Sequence, residues 1–173
     1  MDKGKTENKS KTKNALMLFL LKLAIIAVIL FLVFTFLFGI KRYSSDQMRP
    51  ALKDGDILIY YRVLPDYVNR DVVMVEKEGK LEPRRIVAMA GDTVDMNDKG
   101  QLIINGYVQQ EEDIRGKTCP YVGKTEFPLT IGKNQVFVLS DNRKNGEDSR
   151  VYGAVNTKDI KGRVITFVRR RGI

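Results

Sequence analysis

A long apolar run near the N-terminus constrains this chain most. Residues 15–40 read ALMLFLLKLAIIAVILFLVFTFLFGI, and Lys22 is the single charged residue among these 26. A helix of about 20 apolar residues spans the hydrocarbon core of a bilayer. The apolar part of a cleaved signal peptide is shorter, about 7–15 residues, and no small-x-small cleavage pattern closes this run. We therefore predict a retained transmembrane anchor over residues 15–40, with Lys22 reaching toward the lipid headgroups.

The charges on either side of the anchor predict its orientation. Residues 1–14 form a polar tail with five lysines, whereas only Lys41 and Arg42 follow the anchor directly. Cytoplasmic flanks carry the excess of basic residues in membrane proteins. We therefore predict a single-pass protein of the cell membrane, with a cytoplasmic tail at residues 1–14 and an extracellular domain at residues 41–173.

Composition excludes several kinds of site in that domain. The net charge is +9, but the chain has no histidine and one cysteine, Cys119, so an intramolecular disulfide is impossible and a zinc site is not expected. The basic residues are not interleaved with aromatic ones, so we predict no nucleic-acid partner. We expect no cofactor and no metal, and we interpret Cys119 as an ordinary loop thiol.

Short segments rich in β-branched and aromatic residues dominate residues 41–173. They have the length and composition of strands, and turn residues separate them; they are residues 57–61, 72–75, 85–89, 102–104, 135–139 and 164–168. Asn105-Gly106 is the strongest hairpin turn, because both residue types tolerate positive φ. No long helical period follows the anchor. We therefore predict an all-β, mostly antiparallel domain behind one N-terminal transmembrane helix.

Four sequence blocks follow the anchor in a fixed order. They are DQMRPALKDGD at 46–56, RDVV at 70–73, RRIVAMAGD at 84–92 and LSDNRKNGEDSR at 139–150. Together they resemble the conserved boxes of the type I signal peptidases (the S26 family, of Gram-positive type). These are membrane-anchored serine proteases that remove signal peptides from exported proteins. The resemblance covers nearly the whole chain and implies a signal-peptidase-like β domain.

The resemblance also implies a mechanism whose residues are missing here. The family uses a serine nucleophile, a lysine base that burial keeps neutral, and a second serine that steadies the lysine. Those positions hold Gln47, Arg84 and Gly146. An amide is not a nucleophile at neutral pH, and arginine has no acceptor atom and stays protonated at physiological pH. We therefore predict no functional catalytic residue.

Residues that shape the family's fold and groove are retained. The resemblance assigns structural roles to Asp141, Asn142, Asp148 and Arg150, with an ion pair between the last two. The family binds an extended peptide along an edge strand, and the candidate groove residues are Ser45, Asp46, Gln47, Met48 and Pro50.

Three departures from the pattern affect the loop shapes. Ala51 stands for threonine, Ala90 for proline and Ser140 for glycine.

Two catalytic alternatives remain at this stage. Ser45 shares the face of Gln47 if the segment is extended, but it would lie about 6–7 Å away along the strand. Lys80 is the nearest lysine to the base position and comes four residues early. A carboxylate pair of Asp46 and Asp148 is less favoured, because Asp148 is expected to pair with Arg150.

Signal-peptidase-like proteins without the serine–lysine dyad occur in Gram-positive pilus gene clusters, where they assist pilin polymerisation. The resemblance therefore implies a non-catalytic assembly factor or chaperone, with exported proteins or pilin subunits as partners and membrane lipid around residues 15–40. One alternative is an active signal peptidase with an unorthodox nucleophile. Another is a regulator that binds an active peptidase.

Overall fold

The N-terminal part of the chain is one long helix. The structure, a computed structural model, describes residues 3–63, 66–111, 114, 116–122 and 124–169. Helix α1 spans Lys3–Leu37, so it also includes most of the predicted tail. Its segment Asn14–Leu37 is 24 residues long, has a mean hydropathy of 3.1 and is long and apolar enough to cross a membrane. An apolar surface on all sides suits a helix surrounded by lipid.

The helix ends three residues before the predicted end of the anchor. Residues 38–40 instead begin the first strand, Phe38–Arg42, which pairs with Ile57–Tyr61. Gly39 permits this pairing, because a Cβ atom there would lie 2.0 Å from the ring carbon Cζ of Tyr60. A membrane-helix composition therefore gives way to strand pairing where a glycine fits against an aromatic ring.

From Phe38 onward the chain forms a separate β unit of eleven strands in the described residues. In chain order they are β1 Phe38–Arg42, β2 Ile57–Tyr61, β3 Val72–Lys77, β4 Lys80–Ala88, β5 Thr93–Met96, β6 Leu102–Ile104, β7 Tyr107–Val108, β8 Leu129–Thr130, β9 Gln135–Leu139, β10 Val155–Asn156 and β11 Ile160–Val168. A one-turn helix, α2, spans Ser149–Tyr152, and a 3₁₀ turn spans Thr157–Asp159.

The strands form two antiparallel sheets. The larger has the order β1-β2-β11-β3-β4-β9-β10, and the smaller has the order β7-β6-β5-β8. Asn105 and Gly106 join β6 to β7 with φ angles of 53° and 83°, so the predicted hairpin turn is confirmed. The mostly antiparallel β architecture predicted from the sequence is also confirmed.

Apolar side chains of the strands and of the loops between them form three buried clusters. One of them packs Tyr43 and Met48 against Leu58, Tyr60 and Met74 of β2 and β3. This cluster matters for function, because it anchors the turn that carries Gln47 to the middle of the larger sheet.

Candidate functional site

Gln47 lies in a turn that is fixed on both sides. The next residue, Met48, is fully buried, and its N–H donates to the Tyr43 hydroxyl at 2.9 Å. The Gln47 carbonyl accepts from the backbone N–H of Asn142 at 2.8 Å. The Asn142 side-chain amide donates to the Asp46 carbonyl at 3.3 Å. The first and fourth sequence blocks are therefore held together beside Gln47.

Arg84 lies on β4 and reaches the Gln47 side chain directly. Its Nη2 donates to Gln47 Oε1 at 2.5 Å, although the residues are 37 positions apart. Nε and Nη2 also donate to the Glu147 carbonyl at 3.1 and 2.9 Å, and Nη1 donates to the Pro83 carbonyl at 2.7 Å. The arginine is 5% exposed. The two positions to which the resemblance assigns a nucleophile and its base hold a hydrogen-bonded amide and guanidinium.

This pair cannot perform acyl transfer as a serine and a neutral lysine do. The Gln47 oxygen is engaged as an acceptor, and its amide nitrogen has no nucleophilic lone pair at neutral pH. The Arg84 guanidinium has only N–H donors and no acceptor atom, so it cannot take a proton from a hydroxyl.

Gly146 occupies the position that the resemblance gives to the lysine-steadying serine, and it has no room for a side chain. A Cβ atom there would lie 2.4 Å from Ser140 Cβ, 2.5 Å from Ser140 Oγ and 2.7 Å from Asp148 Oδ2. Ser140 itself stands where the resemblance gives glycine. The two departures are therefore complementary, because the side chain at 140 fills the space of one at 146.

Sequence reasoning noted Ser140 and Gly146 separately and missed that they compete for space. The sequence did contain one indication: relative to the family pattern, a glycine and a serine have exchanged positions within the fourth block. Nothing in the one-dimensional pattern shows that the two positions touch.

Asp148 and Arg150 hold the loop that contains Gly146. Arg150 donates from Nε to Asp148 Oδ1 and from Nη2 to Oδ2, both at 2.9 Å, and both side chains are buried. Asp148 also caps helix α2 and accepts from the Ser140 N–H at 3.0 Å. Two carboxylate oxygens thus fix the loop, the helix and the end of β9.

Asp141 makes a similar two-point contact with Arg85. Its oxygens accept from Arg85 Nε at 2.7 Å and Nη2 at 2.6 Å, and Arg85 Nη1 donates to the Arg70 carbonyl at 2.9 Å. The structural candidates of the fourth block therefore join the second and third blocks.

The remaining groove candidates lie around the Gln47 turn. Ser45 is half-buried, and its Oγ accepts from the Gln47 N–H at 3.2 Å; Asp46 is exposed and Pro50 is half-buried. No lysine is hydrogen-bonded to Ser45 in the part of the chain that the structure describes. Lys80 is exposed at the first residue of β4.

One edge of β4 has no neighbouring strand near Arg84. Residues 80–85 pair with β3, but β9 pairs only with residues from Arg85 onward on the other side, in the described chain. The carbonyl oxygens of Leu81 and Pro83 accept from the side chains of Lys41 and Arg84. This edge is where an extended peptide could add a strand.

A pocket of about 320 Å³ adjoins Arg84 over one face of the β3–β4 hairpin. Its lining is charged rather than apolar: Val75, Lys77, Glu78, Lys80, Glu82, Arg84, Lys124, Glu147, Val151 and Tyr152. Burial raises the pKa of Tyr152 to about 12, against an opposing effect of Arg84, so its hydroxyl is neutral at physiological pH. Lys77 Nζ lies 4.7 Å from the centre of the Tyr152 ring. Sequence reasoning did not identify Tyr152 or Glu147.

The described residues contain no group of three or more acidic, histidine or cysteine side chains placed to hold a metal.

Comparisons with known proteins identify relatives that match most of the chain. The family model described as "Signal peptidase, peptidase S26" matches residues 16–168. A signal peptidase I P from Bacillus subtilis subsp. natto is 32% identical over 170 residues, covering 90% of each chain. A signal peptidase I from Bacillus amyloliquefaciens is 30% identical, covering 91% of each.

A solved structure of a signal peptidase I from Enterococcus faecalis V583 aligns with a TM-score of 0.46 at 21% identity. It covers 60% of this chain and all of that one. On the family model and the relatives, which span nearly the full length, this chain belongs to the peptidase S26 (signal peptidase I) family.

Proposed function

We propose that this chain is a membrane-anchored, non-catalytic member of the signal peptidase I family that holds extended segments of exported proteins. Pilin subunits are the proposed client class, and assembly at the cell surface is the proposed role. The observation that carries the proposal is the direct hydrogen bond between Gln47 and Arg84 at the two dyad positions.

The loss of chemistry extends to the third position. A steadying hydroxyl at residue 146 would overlap Ser140, so restoring that group requires a change at two positions. Catalysis would therefore require several coordinated replacements. The pair also fills its site, because Arg84 is bonded to Gln47, Pro83 and Glu147 at once.

Peptide holding needs no catalytic residue. Strand addition uses backbone hydrogen bonds at a free sheet edge and leaves side chains to provide selectivity. The edge of β4 at residues 80–84 offers such a place beside the Gln47–Arg84 pair. Pro83 has no N–H, and its carbonyl already accepts from Arg84 Nη1 at 2.7 Å, so an added strand would have to share that carbonyl with Arg84 or displace the side chain.

The proposed location is the cell membrane. Helix α1 supplies a segment long enough to cross it. The lysine-rich residues before the apolar segment support a cytoplasmic N-terminus and an extracellular β unit. The resemblance to dyad-lacking proteins of pilus gene clusters, together with Gram-positive relatives, supports pilins as clients.

The test uses full-length protein in detergent micelles and a peptide that spans the cleavage site of an exported pilin. Binding is measured by calorimetry and cleavage by mass spectrometry in the same samples. An active signal peptidase I serves as the positive control for cleavage. We expect binding without cleavage.

Cleavage by the purified protein would contradict the proposal. The variant Ser45→Ala then tests the unorthodox nucleophile, and Ser44→Ala is its matched control, because Ser44 is exposed whereas Ser45 Oγ accepts from the Gln47 N–H. A second test is genetic: an in-frame deletion should shorten pili or reduce their yield. Unchanged pilus length and yield would refute the assembly role.

A further inference from the structure

Arg84 differs from the other buried arginines in its electrostatic environment. The acceptors of its hydrogen bonds are all neutral: the Gln47 amide oxygen and the carbonyls of Pro83 and Glu147. Arg150 instead pairs with Asp148, and Arg143 pairs with Glu111. Within the described ranges, no carboxylate lies within ion-pair distance of the Arg84 guanidinium.

The neutral acceptors of Arg84 take four of its five guanidinium N–H hydrogens, leaving one on Nη1, and none of them carries a counter-charge. Removing a charge from water is costly unless a counter-charge lies close by. We therefore expect the Arg84 guanidinium to attract an anion. A carboxylate that approached it would gain more than the same group gains at an exposed lysine.

The pocket beside Arg84 gives an anion access to this charge. Lys77, Lys80 and Lys124 add further cations to its lining, against the carboxylates of Glu78, Glu82 and Glu147. Glu82 already lies 3.9 Å from Lys41 Nζ, which is outside the pocket lining. The lining therefore has four cations and three carboxylates. Lys41, which is outside the lining, lies beside one of those carboxylates.

The position of the pocket connects it to the proposed peptide edge. Lys80, Glu82 and Arg84 alternate along β4 and so share one face of the sheet, and Val75 and Lys77 of β3 share that face across the ladder. A strand added to the free edge of β4 would project every second side chain onto the same face. One of those side chains would point toward Arg84.

We propose that this pocket binds the carboxylate of an aspartate or glutamate side chain in the extended client segment. The inference rests on the proposed function and specifies its substrate class. The carboxylate would accept from the Arg84 guanidinium, with the Lys77 ammonium and the Tyr152 hydroxyl as further donors at the same pocket. This chain would thus select acidic segments, where the family resemblance implies small pockets.

The test compares matched peptides on the full-length protein in detergent micelles. A short host peptide of alternating threonine and valine has blocked ends, a fluorescent label and a central aspartate, glutamate, asparagine, glutamine or alanine. Affinity is measured by anisotropy at low and high salt. We expect the acidic peptides to bind about tenfold more tightly than their amides, with the difference decreasing in high salt.

Two variants locate the effect. Arg84→Gln removes the buried charge and keeps a hydrogen-bonding side chain, so the preference for acid over amide should fall to near unity. Lys77→Gln should reduce it, and it serves if Arg84→Gln fails to fold. Lys133→Gln is the control, because it removes the same charge from an exposed turn outside the pocket.

Each result separates the two proposals. If the asparagine peptide binds and the aspartate peptide binds no better, the acidic preference is wrong and peptide holding stands. If the preference survives both Arg84→Gln and Lys77→Gln, the pocket assignment is wrong. If none of the peptides binds, the proposed peptide-holding function is refuted, and this inference with it.

Discussion

Ser140 and Gly146 should be energetically coupled, since they compete for one volume. We expect Gly146→Ser to destabilise the β unit and Ser140→Gly to rescue much of that loss. The new Cβ would lie 2.4 Å from Ser140 Cβ, about 1 Å closer than the 3.4 Å at which ordinary contact begins. Inserting atoms into a packed site costs about 1–3 kcal/mol, because neighbours must leave their rotamers or the backbone must shift.

The single change at 140 should be mild. Ser140 Oγ is buried and lacks a hydrogen-bond partner within the described chain, so removing it relieves an unsatisfied group. A new glycine costs roughly 0.5–1 kcal/mol through backbone entropy. The two effects oppose each other, and we expect a net change within about 1 kcal/mol.

The double variant should recover stability only in part. A Cβ at 146 would still lie 2.7 Å from Asp148 Oδ2, which the bonds to Arg150 and the Ser140 N–H hold in place. We therefore expect a favourable coupling energy of about 1–2 kcal/mol between the two substitutions.

The measurement is urea unfolding of the full-length protein in micelles. The chain has no tryptophan and seven tyrosines, so tyrosine fluorescence reports the transition. The four members of the cycle are wild type, each single variant and the double variant. Additive effects within about 0.5 kcal/mol would refute the idea that the two side chains compete for space.

Three further outcomes follow from the contacts. Asp148→Asn should cost about 3–5 kcal/mol in urea unfolding, because it leaves the buried Arg150 guanidinium without its counter-charge; a loss below about 1 kcal/mol would contradict this. Hydrogen bonds from Arg169 lower the pKa of Asp56, so their contribution is present above the unfolded-state value of about 3.9 and is lost as pH falls through the lower folded pKa. Arg169→Gln should therefore lower the melting temperature at pH 7 and have little effect near pH 2; an equal effect at both would be inconsistent. Cys119 is exposed and is the one cysteine of the chain, so a maleimide should add once to the folded protein and not at all to Cys119→Ser.

The sequence alone determined the features that depend on neighbouring residues. The apolar run predicted a membrane-length helix, and the β-branched segments predicted strands that the structure contains at 57–61, 102–104 and 135–139. Asn105-Gly106 predicted its turn because the φ preferences of two residues suffice. The ordered blocks identified the family, and their resemblance assigned Gln47 and Arg84 to the dyad positions.

Tertiary structure decided what those residues do to each other. It bonded Gln47 to Arg84 across 37 positions, and it placed Ser140 in the space above Gly146. It also ended α1 at Leu37, because Gly39 fits against the Tyr60 ring of a strand that comes later in the chain. Local preference and pattern act over a few residues. Which distant side chains come into contact depends on how the strands pack. That packing buries Arg84 against neutral acceptors, with no carboxylate at ion-pair distance among the described residues.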